Sequence, residues 1–133
     1  MASLFNELKY HYRSGEAYIR LLIINLLIFV FINLIGLLLW LTGNGSEYHI
    51  DLIRLFGVPA SVFSLLKQPW SIFTYMFIQK DLFHILGNML LLFFAGRIFE
   101  NTFGSRRVWS LYILGGFAGA IFYILVFNLF PVF

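Results

Sequence analysis

Residues 21–41 form an uninterrupted apolar segment that reads LLIINLLIFVFINLIGLLLWL. These 21 residues include no charged side chain. As an α-helix with a rise of about 1.5 Å per residue, the segment would be about 32 Å long, which matches the hydrocarbon core of a bilayer. The segment therefore predicts a membrane-spanning helix. We expect its Asn25 and Asn33 to form hydrogen bonds with neighbouring helices, and Trp40 suits an interfacial anchor.

The composition extends this prediction to the whole chain. Of the 133 residues, 61% are hydrophobic and 11% are charged, whereas soluble domains are about 45–50% apolar and about 25% charged. A small soluble domain needs more polar residues than this because much of it is surface. The sequence contains no cysteine, so a disulfide, a catalytic thiolate and cysteine metal ligands are excluded within it.

Two more apolar segments, roughly residues 82–99 and 108–130, predict a second and a third span. Residues 42–81 between the first two spans are less hydrophobic, and Pro59 interrupts any single helix there. We interpret them as a turn at residues 43–46 followed by short amphipathic helices in the membrane interface. The predicted fold is thus all-α: a polytopic membrane protein with three transmembrane helices and a long membrane-embedded first loop.

Charge predicts the orientation. The nine basic residues lie mostly outside the apolar segments, which indicates positive-inside loop charge rather than nucleic-acid binding. Residues 1–20 form a polar N-terminal tail, and a polar turn at residues 100–107 joins the second and third spans. Both are rich in basic residues, and we expect both to be cytoplasmic. The basic residues concerned are Lys9, Arg13 and Arg20 in the tail, and Arg97, Arg106 and Arg107 in and beside the turn.

Small residues recur at intervals of four in the third predicted span. Gly115 and Gly119 form one such pair, and Gly116 and Ala120 form another. Small residues on one helical face let another backbone approach closely. The pattern favours close packing inside one chain over dimerisation.

The second span begins with a polar pair that could carry chemistry. Residues 83–90 read FHILGNML, which places His84 and Asn88 four residues apart on one helical face. Two hydrogen-bond donors one turn apart could stabilise a developing oxyanion. The same spacing also suits interhelical hydrogen bonds, and the spacing alone favours that structural interpretation. A zinc site is a poor alternative, because only Asp81 lies near His84 at ligand spacing.

Residues 69–104 read PWSIFTYMFIQKDLFHILGNMLLLFFAGRIFENTFG, and this stretch resembles the rhomboid family. In that family a tryptophan in the first loop precedes a helix that opens with His-x-x-x-Asn, and a glutamate and a glycine follow near the end of that helix. The matching positions here are Trp70, His84, Asn88, Glu100 and Gly104.

The resemblance implies an intramembrane serine protease built as a six-helix bundle, of which this chain would be the N-terminal half. It implies that His84 and Asn88 help to form the oxyanion hole and that Trp70 seats the first loop in the interface. Glu100 would tie the second helix to the polar turn, through Arg106 or Arg107.

The sequence also departs from the family pattern. Ser71 stands where many members have arginine, and Gln79 stands where histidine is common. The family cuts with a serine in Gly-x-Ser-Gly on the fourth span and a histidine on the sixth. None of the eight serines here lies in that motif. We therefore interpret residues 21–133 as a partial membrane domain that ends before the nucleophile and base, and we expect the 133-residue chain alone to be inactive.

The sequence thus predicts a rhomboid-type serine endopeptidase that cleaves transmembrane substrates near the outer membrane face. Membrane lipids and transmembrane protein substrates are its expected partners, in a bacterial-type plasma membrane, with no cofactor, no metal and no nucleic acid. Two alternatives stay open. One is a non-catalytic rhomboid-like protein that binds transmembrane helices. The other is a small structural membrane protein in which His84 and Asn88 join helices.

Overall fold

The computed structural model describes residues 2–14, 16–43, 45–79 and 81–130, and every regular element among them is helical. This confirms the predicted all-α class. The elements in chain order are α1 (Ala2–Ser14), α2 (Ala17–Leu41), α3 (Gly45–Phe56), α4 (Val62–Lys67), α5 (Ser71–Thr74), a 3₁₀ turn (Tyr75–Phe77), α6 (Leu82–Phe103) and α7 (Ser105–Leu129).

Three of these helices are long and apolar enough to cross a membrane, namely α2, α6 and α7, with 25, 22 and 25 residues. They confirm the three predicted spans. Large apolar side chains on their surfaces, such as Phe94 and Phe122, are exposed. In a soluble protein these side chains would face water, whereas here they can face lipid. The predicted short helices of the first loop correspond to α3, α4 and α5, and a break at residues 57–61 contains Pro59.

The helices extend further than the apolar segments do. Helix α2 begins at Ala17, inside the predicted polar tail, and the rest of that tail contains α1. The predicted polar turn at residues 100–107 is shorter than expected, because α6 continues to Phe103 and α7 begins at Ser105. Gly104 alone reverses the chain, with φ 87° and ψ 163°, a conformation that residues with a Cβ rarely adopt. Likewise Gly45 already belongs to α3, so the predicted turn at residues 43–46 is shorter than expected.

Glu100 joins all three spans at one end of the molecule. Its carboxylate accepts hydrogen bonds from the backbone N–H groups of Ala17, at 2.8 Å, and Tyr18, at 3.0 Å. The first N–H groups of a helix have no partner within the helix, and a negative charge there is favourable. Glu100 is only 7% exposed, so it caps α2 from inside the bundle. We call this end of the molecule, where the N-terminus of α2 meets the join between α6 and α7, the Glu100 end.

The carboxylate also accepts a hydrogen bond from the Ser105 hydroxyl, at the start of α7. The sequence predicted Arg106 or Arg107 as the partner in this turn. Among the described residues, no ion pair joins Glu100 to either arginine, and both arginines are exposed. The short Ser105 side chain lies next to Gly104, where the chain turns back toward Glu100, whereas the arginines extend outward.

A second set of hydrogen bonds satisfies the carbonyl groups at the C-terminus of α3. The last four carbonyl groups of a helix have no partner within the helix, and a lipid environment offers none. Here each of the four accepts a hydrogen bond from a residue that follows α3. The bonds run from Gly57 N to Ile53 O at 2.8 Å, from Gln68 Nε2 to Arg54 O at 3.0 Å, from Trp70 Nε1 to Leu55 O at 3.0 Å, and from Thr74 Oγ1 to Phe56 O at 2.8 Å.

The two asparagines of the first span behave differently. Asn25 is fully buried, and its Nδ2 donates to the Leu21 carbonyl at 2.8 Å and to Tyr112 Oη on α7 at 3.0 Å. This confirms the expected interhelical hydrogen bond. Asn33 is exposed and donates to the carbonyl of Phe29 on its own helix, at 2.8 Å. Within the described part of the chain, the Asn33 amide therefore bonds to its own helix and not to a neighbouring one, contrary to the expectation.

Replacing Glu100 tests the cap. We expect Glu100→Ala to lower the free energy of unfolding by about 2 kcal/mol or more, because two backbone N–H groups and one hydroxyl lose a charged acceptor. Glu7→Ala, at an exposed site on α1, is the matched control and should change it by less than about 0.5 kcal/mol. Reversible unfolding in mixed micelles measures both. Equal stability of the two variants would contradict the capping role.

Candidate functional site

A cavity of about 890 Å³ lies between the loop that precedes α6 and the helices α6 and α7. Most of its wall is apolar, as expected inside a membrane domain. Polar side chains converge on it from α2, the loop, α6 and α7. They include Asn25, Tyr75, Gln79, His84, Asn88 and Tyr112. An apolar pocket with a few convergent polar groups is the usual form of a binding or active site.

The start of α6 sets the direction of the two predicted site residues. Asp81 is the N-cap, and its Oδ1 accepts a hydrogen bond from the backbone N–H of His84 at 2.8 Å. One turn later comes Asn88, and both His84 and Asn88 line the cavity. The His84 residue is exposed and Asn88 is partly buried. The i, i+4 spacing thus brings the two side chains to one cavity.

A second amide holds the Asn88 side chain. Asn88 Nδ2 donates to Gln79 Oε1 at 2.9 Å, and Gln79 is only 7% exposed. A primary amide has two N–H donors, so this bond leaves one donor available to a ligand. The sequence marked Gln79 only as a departure from the family pattern. The signal that could have found this contact is a polar side chain that directly follows the apolar run at residues 75–78, just before α6.

The loop is fixed against α7 by side chains that occupy its glycine face. The Tyr75 hydroxyl donates to the carbonyl of Gly116, and Met76 lies so close to Gly116 that a Cβ there would clash. At Gly119 a Cβ would lie 2.9 Å from Tyr75 Oη, whereas Gly115 has no neighbour within 4 Å of such a Cβ. The small residues therefore admit side chains of the loop, where the close approach of another backbone was expected, and Gly115 takes no part in that contact.

Tyrosine side chains also line the wall of the cavity. Tyr112 Oη lies 3.0 Å from Asn25 Nδ2 and 3.2 Å from the Met76 carbonyl, so α2, α7 and the loop meet at this ring. Burial raises the pKa of the Tyr75 phenol above its ordinary value. The Tyr75 hydroxyl therefore stays protonated at neutral pH and remains a donor to Gly116.

Of the remaining predicted site residues, Gly115 lines the cavity, whereas Trp70, Glu100, Gly104 and Gly119 do not. Trp70 lies within the loop, and its indole N–H donates to the Leu55 carbonyl of α3. Glu100 and Gly104 lie at the other end of α6, about 24 Å and about 30 Å from His84 at about 1.5 Å per residue. These positions hold the helices and the loop, while His84, Asn88 and the unpredicted Gln79 are polar residues at the cavity.

The cavity offers hydrogen-bond donors rather than a nucleophile. Among the described residues that line it there is no serine, threonine or cysteine. In the same described part of the chain, no group of three or more His, Asp or Glu residues could hold a metal ion. The Asn88 amide and the His84 imidazole can each donate to an oxygen that carries negative charge.

The chain is an integral membrane protein with three helices that can span a membrane. Its cavity, with a few convergent polar side chains, lies between the first loop and helices α6 and α7. A family model described as "Rhomboid domain" matches residues 66–132, which is half of the chain. The chain belongs to the rhomboid family.

Curated relatives match a shorter stretch. RHOMBOID-like protein 1 of Arabidopsis thaliana is 40% identical over 54 residues, which is 41% of this chain and 14% of the relative. RHOMBOID-like protein 7 of the same plant is 34% identical over 55 residues, which is 41% of this chain and 18% of the relative. The matched part of the chain thus spans less than a fifth of these relatives. No solved structure matches the chain significantly.

Two glycine substitutions test how the loop is held. Gly119→Ala places a Cβ 2.9 Å from Tyr75 Oη, so we expect it to displace Tyr75 and to lower the free energy of unfolding by about 1 kcal/mol or more. Gly115→Ala, in open space on the same helix, should leave stability unchanged or raise it by up to about 1 kcal/mol. Thermal unfolding in detergent measures both. The packing described here is wrong if Gly115→Ala is the more damaging change.

Proposed function

We propose that this chain supplies the oxyanion-binding part of a rhomboid-type intramembrane serine endopeptidase. The observation that carries the proposal is the pairing of His84 and Asn88 on one cavity wall, with the Asn88 amide held by Gln79. An oxyanion hole needs donors that are already oriented when negative charge develops. A bond to the buried Gln79 provides that orientation for Asn88 without using both of its N–H groups.

In the proposed reaction a serine hydroxyl attacks the carbonyl carbon of a substrate peptide bond, and a histidine takes up the proton. The carbonyl oxygen becomes negatively charged, and the His84 and Asn88 N–H groups donate to it. Collapse of this intermediate expels the amine, which takes the proton from the histidine, and water then hydrolyses the acyl-enzyme. The nucleophile and the base would come from residues outside these 133, because the sequence has no Gly-x-Ser-Gly.

The other predicted site residues have structural roles in this proposal. Trp70 seats the first loop against α3, Glu100 and Gly104 fix the join between α6 and α7, and Gly119 admits the loop. In this scheme residues 21–133 are a partial membrane domain, and residues 1–20 lie on the cytoplasmic side. Gly115 has open space beside it and is available to a further helix.

The charge distribution supports an orientation. The segments at the Glu100 end, residues 1–20 and 97–107, contain six of the nine basic residues and three of the six acidic residues of the sequence. They therefore carry the whole formal charge of +3. Basic residues favour the cytoplasmic side. With the Glu100 end inside, the His84 end of α6 faces the outer surface, and the proposed substrates are transmembrane proteins cut near that surface. A bacterial-type plasma membrane fits this arrangement.

A non-catalytic protein that binds transmembrane helices is the second candidate. The observation in its favour is the lack of a nucleophile among the described residues of the cavity. An unrelated structural protein no longer fits, because the chain belongs to the rhomboid family.

Alanine substitutions in the natural protein test the catalytic proposal. We expect His84→Ala and Asn88→Ala each to lower kcat for a transmembrane substrate about 10²- to 10³-fold, because each removes a donor to the oxyanion. Asn33→Ala is the matched control, since Asn33 bonds only within α2 and should leave kcat unchanged. Cleavage in proteoliposomes is the readout. Unchanged kcat in the first two variants rules out the oxyanion role, and substrate binding without labelling by a fluorophosphonate supports the non-catalytic candidate.

The isolated chain gives a separate prediction. Reconstituted alone as 133 residues, it should insert into liposomes and cleave no transmembrane substrate, because it contains no serine in the family's nucleophile motif. Gel analysis of a labelled substrate, with the natural protein as the positive control, measures this. Cleavage by the purified 133-residue chain would show that one of its own eight serines acts as the nucleophile.

A further inference from the structure

Helix α1, which precedes the first span, exposes large apolar side chains. Leu4 is 63% exposed and Phe5 is 68% exposed. At 100° per residue, the neighbouring positions 4 and 5 lie on one face of the helix, and the sequence has Leu and Phe there. Positions 3, 6 and 7 lie on other faces and are Ser, Asn and Glu. This is the pattern of a helix that lies between a polar and an apolar medium.

The position of α1 keeps it at the membrane surface. It ends at Ser14, and α2 begins at Ala17. Three Cα–Cα steps of about 3.8 Å separate these residues by at most about 11 Å. Helix α2 has 25 residues and would be about 37 Å long, so its first turn reaches the headgroup layer when the rest spans the hydrocarbon. The end of α1 therefore lies within the depth of that layer.

The charge of the neighbouring surface indicates what α1 meets there. The Glu100 end carries the whole formal charge of +3, and Arg97, Arg106 and Arg107 are exposed on it. Anionic lipid headgroups are attracted to such a surface. A second copy of the same end would be repelled by it. The charge thus favours a lipid surface over self-association as the partner of the apolar face.

We propose that α1 is an interfacial helix that lies in the plane of the membrane at the Glu100 end. Leu4 and Phe5 insert among the acyl chains, and anionic headgroups gather around Arg97, Arg106 and Arg107. This proposal does not depend on proteolysis.

The absence of cysteine from the sequence makes a direct test possible. Single-cysteine variants Phe5→Cys and Asn6→Cys of the full chain carry a spin label in vesicles of phosphatidylcholine and phosphatidylglycerol. Collision with oxygen, which concentrates in the membrane, is compared with collision with a water-soluble nickel chelate. We expect the label at position 5 to favour oxygen and the label at position 6 to favour nickel. Leu4→Cys and Glu7→Cys repeat the comparison with a second pair.

Two results would overturn the proposal. Preference for nickel at both positions 5 and 6 would place α1 in water. Shielding of position 5 from both reagents would place its apolar face against protein, including a second copy of the chain. In vesicles of phosphatidylcholine alone, the contrast between the two positions should shrink. An unchanged contrast would show that anionic headgroups do not hold α1 at the membrane surface, which contradicts that part of the proposal.

Discussion

A helix end that is buried in protein or lipid cannot form hydrogen bonds with water, and in this structure side chains supply those bonds instead. At the N-terminus of α2 the Glu100 carboxylate accepts two backbone N–H groups from across the bundle. At the C-terminus of α3, Gln68, Trp70 and Thr74 donate to three successive carbonyl groups. The first contact fixes the three spans relative to one another. The second folds the first loop back on itself, so that its last residues reach α6 and α7.

The cavity depends on that loop. With α5 held against α3, the following 3₁₀ turn presents Tyr75 and Met76 to Gly116 and Gly119 of α7, where a Cβ would clash with them. The chain then delivers the Gln79 amide to Asn88. A substitution far from the cavity can therefore disturb the Asn88 side chain by loosening the loop. The Asn88 amide keeps its position through this hydrogen bond, and Gln79 keeps its own position through the loop.

Much of this fold could be predicted from the sequence, and the failures have physical causes. Apolar runs identified the three spans, and the i, i+4 spacing placed His84 and Asn88 on one face. Hydropathy misjudged the helix ends at Ala17 and Phe103, because the apolar segments stop at the charged residues Arg20 and Glu100, whereas the backbone hydrogen bonds of a helix continue through them. The partners of Glu100, Asn33 and Gln79 depend on which neighbour is nearest in space. Spacing along the chain does not contain that information.

The cap on α2 also has a consequence for biosynthesis. Ala17 and the Glu100 carboxylate that it binds are separated by 83 positions in the chain. A chain made from its N-terminus exposes α2 to the bilayer long before Glu100 has left the ribosome. Until then, water at the membrane surface has to solvate the first turn of α2, which holds that turn at the surface. The arrival of the end of α6 then replaces water by carboxylate, so a helix that is made later completes the N-terminus of α2.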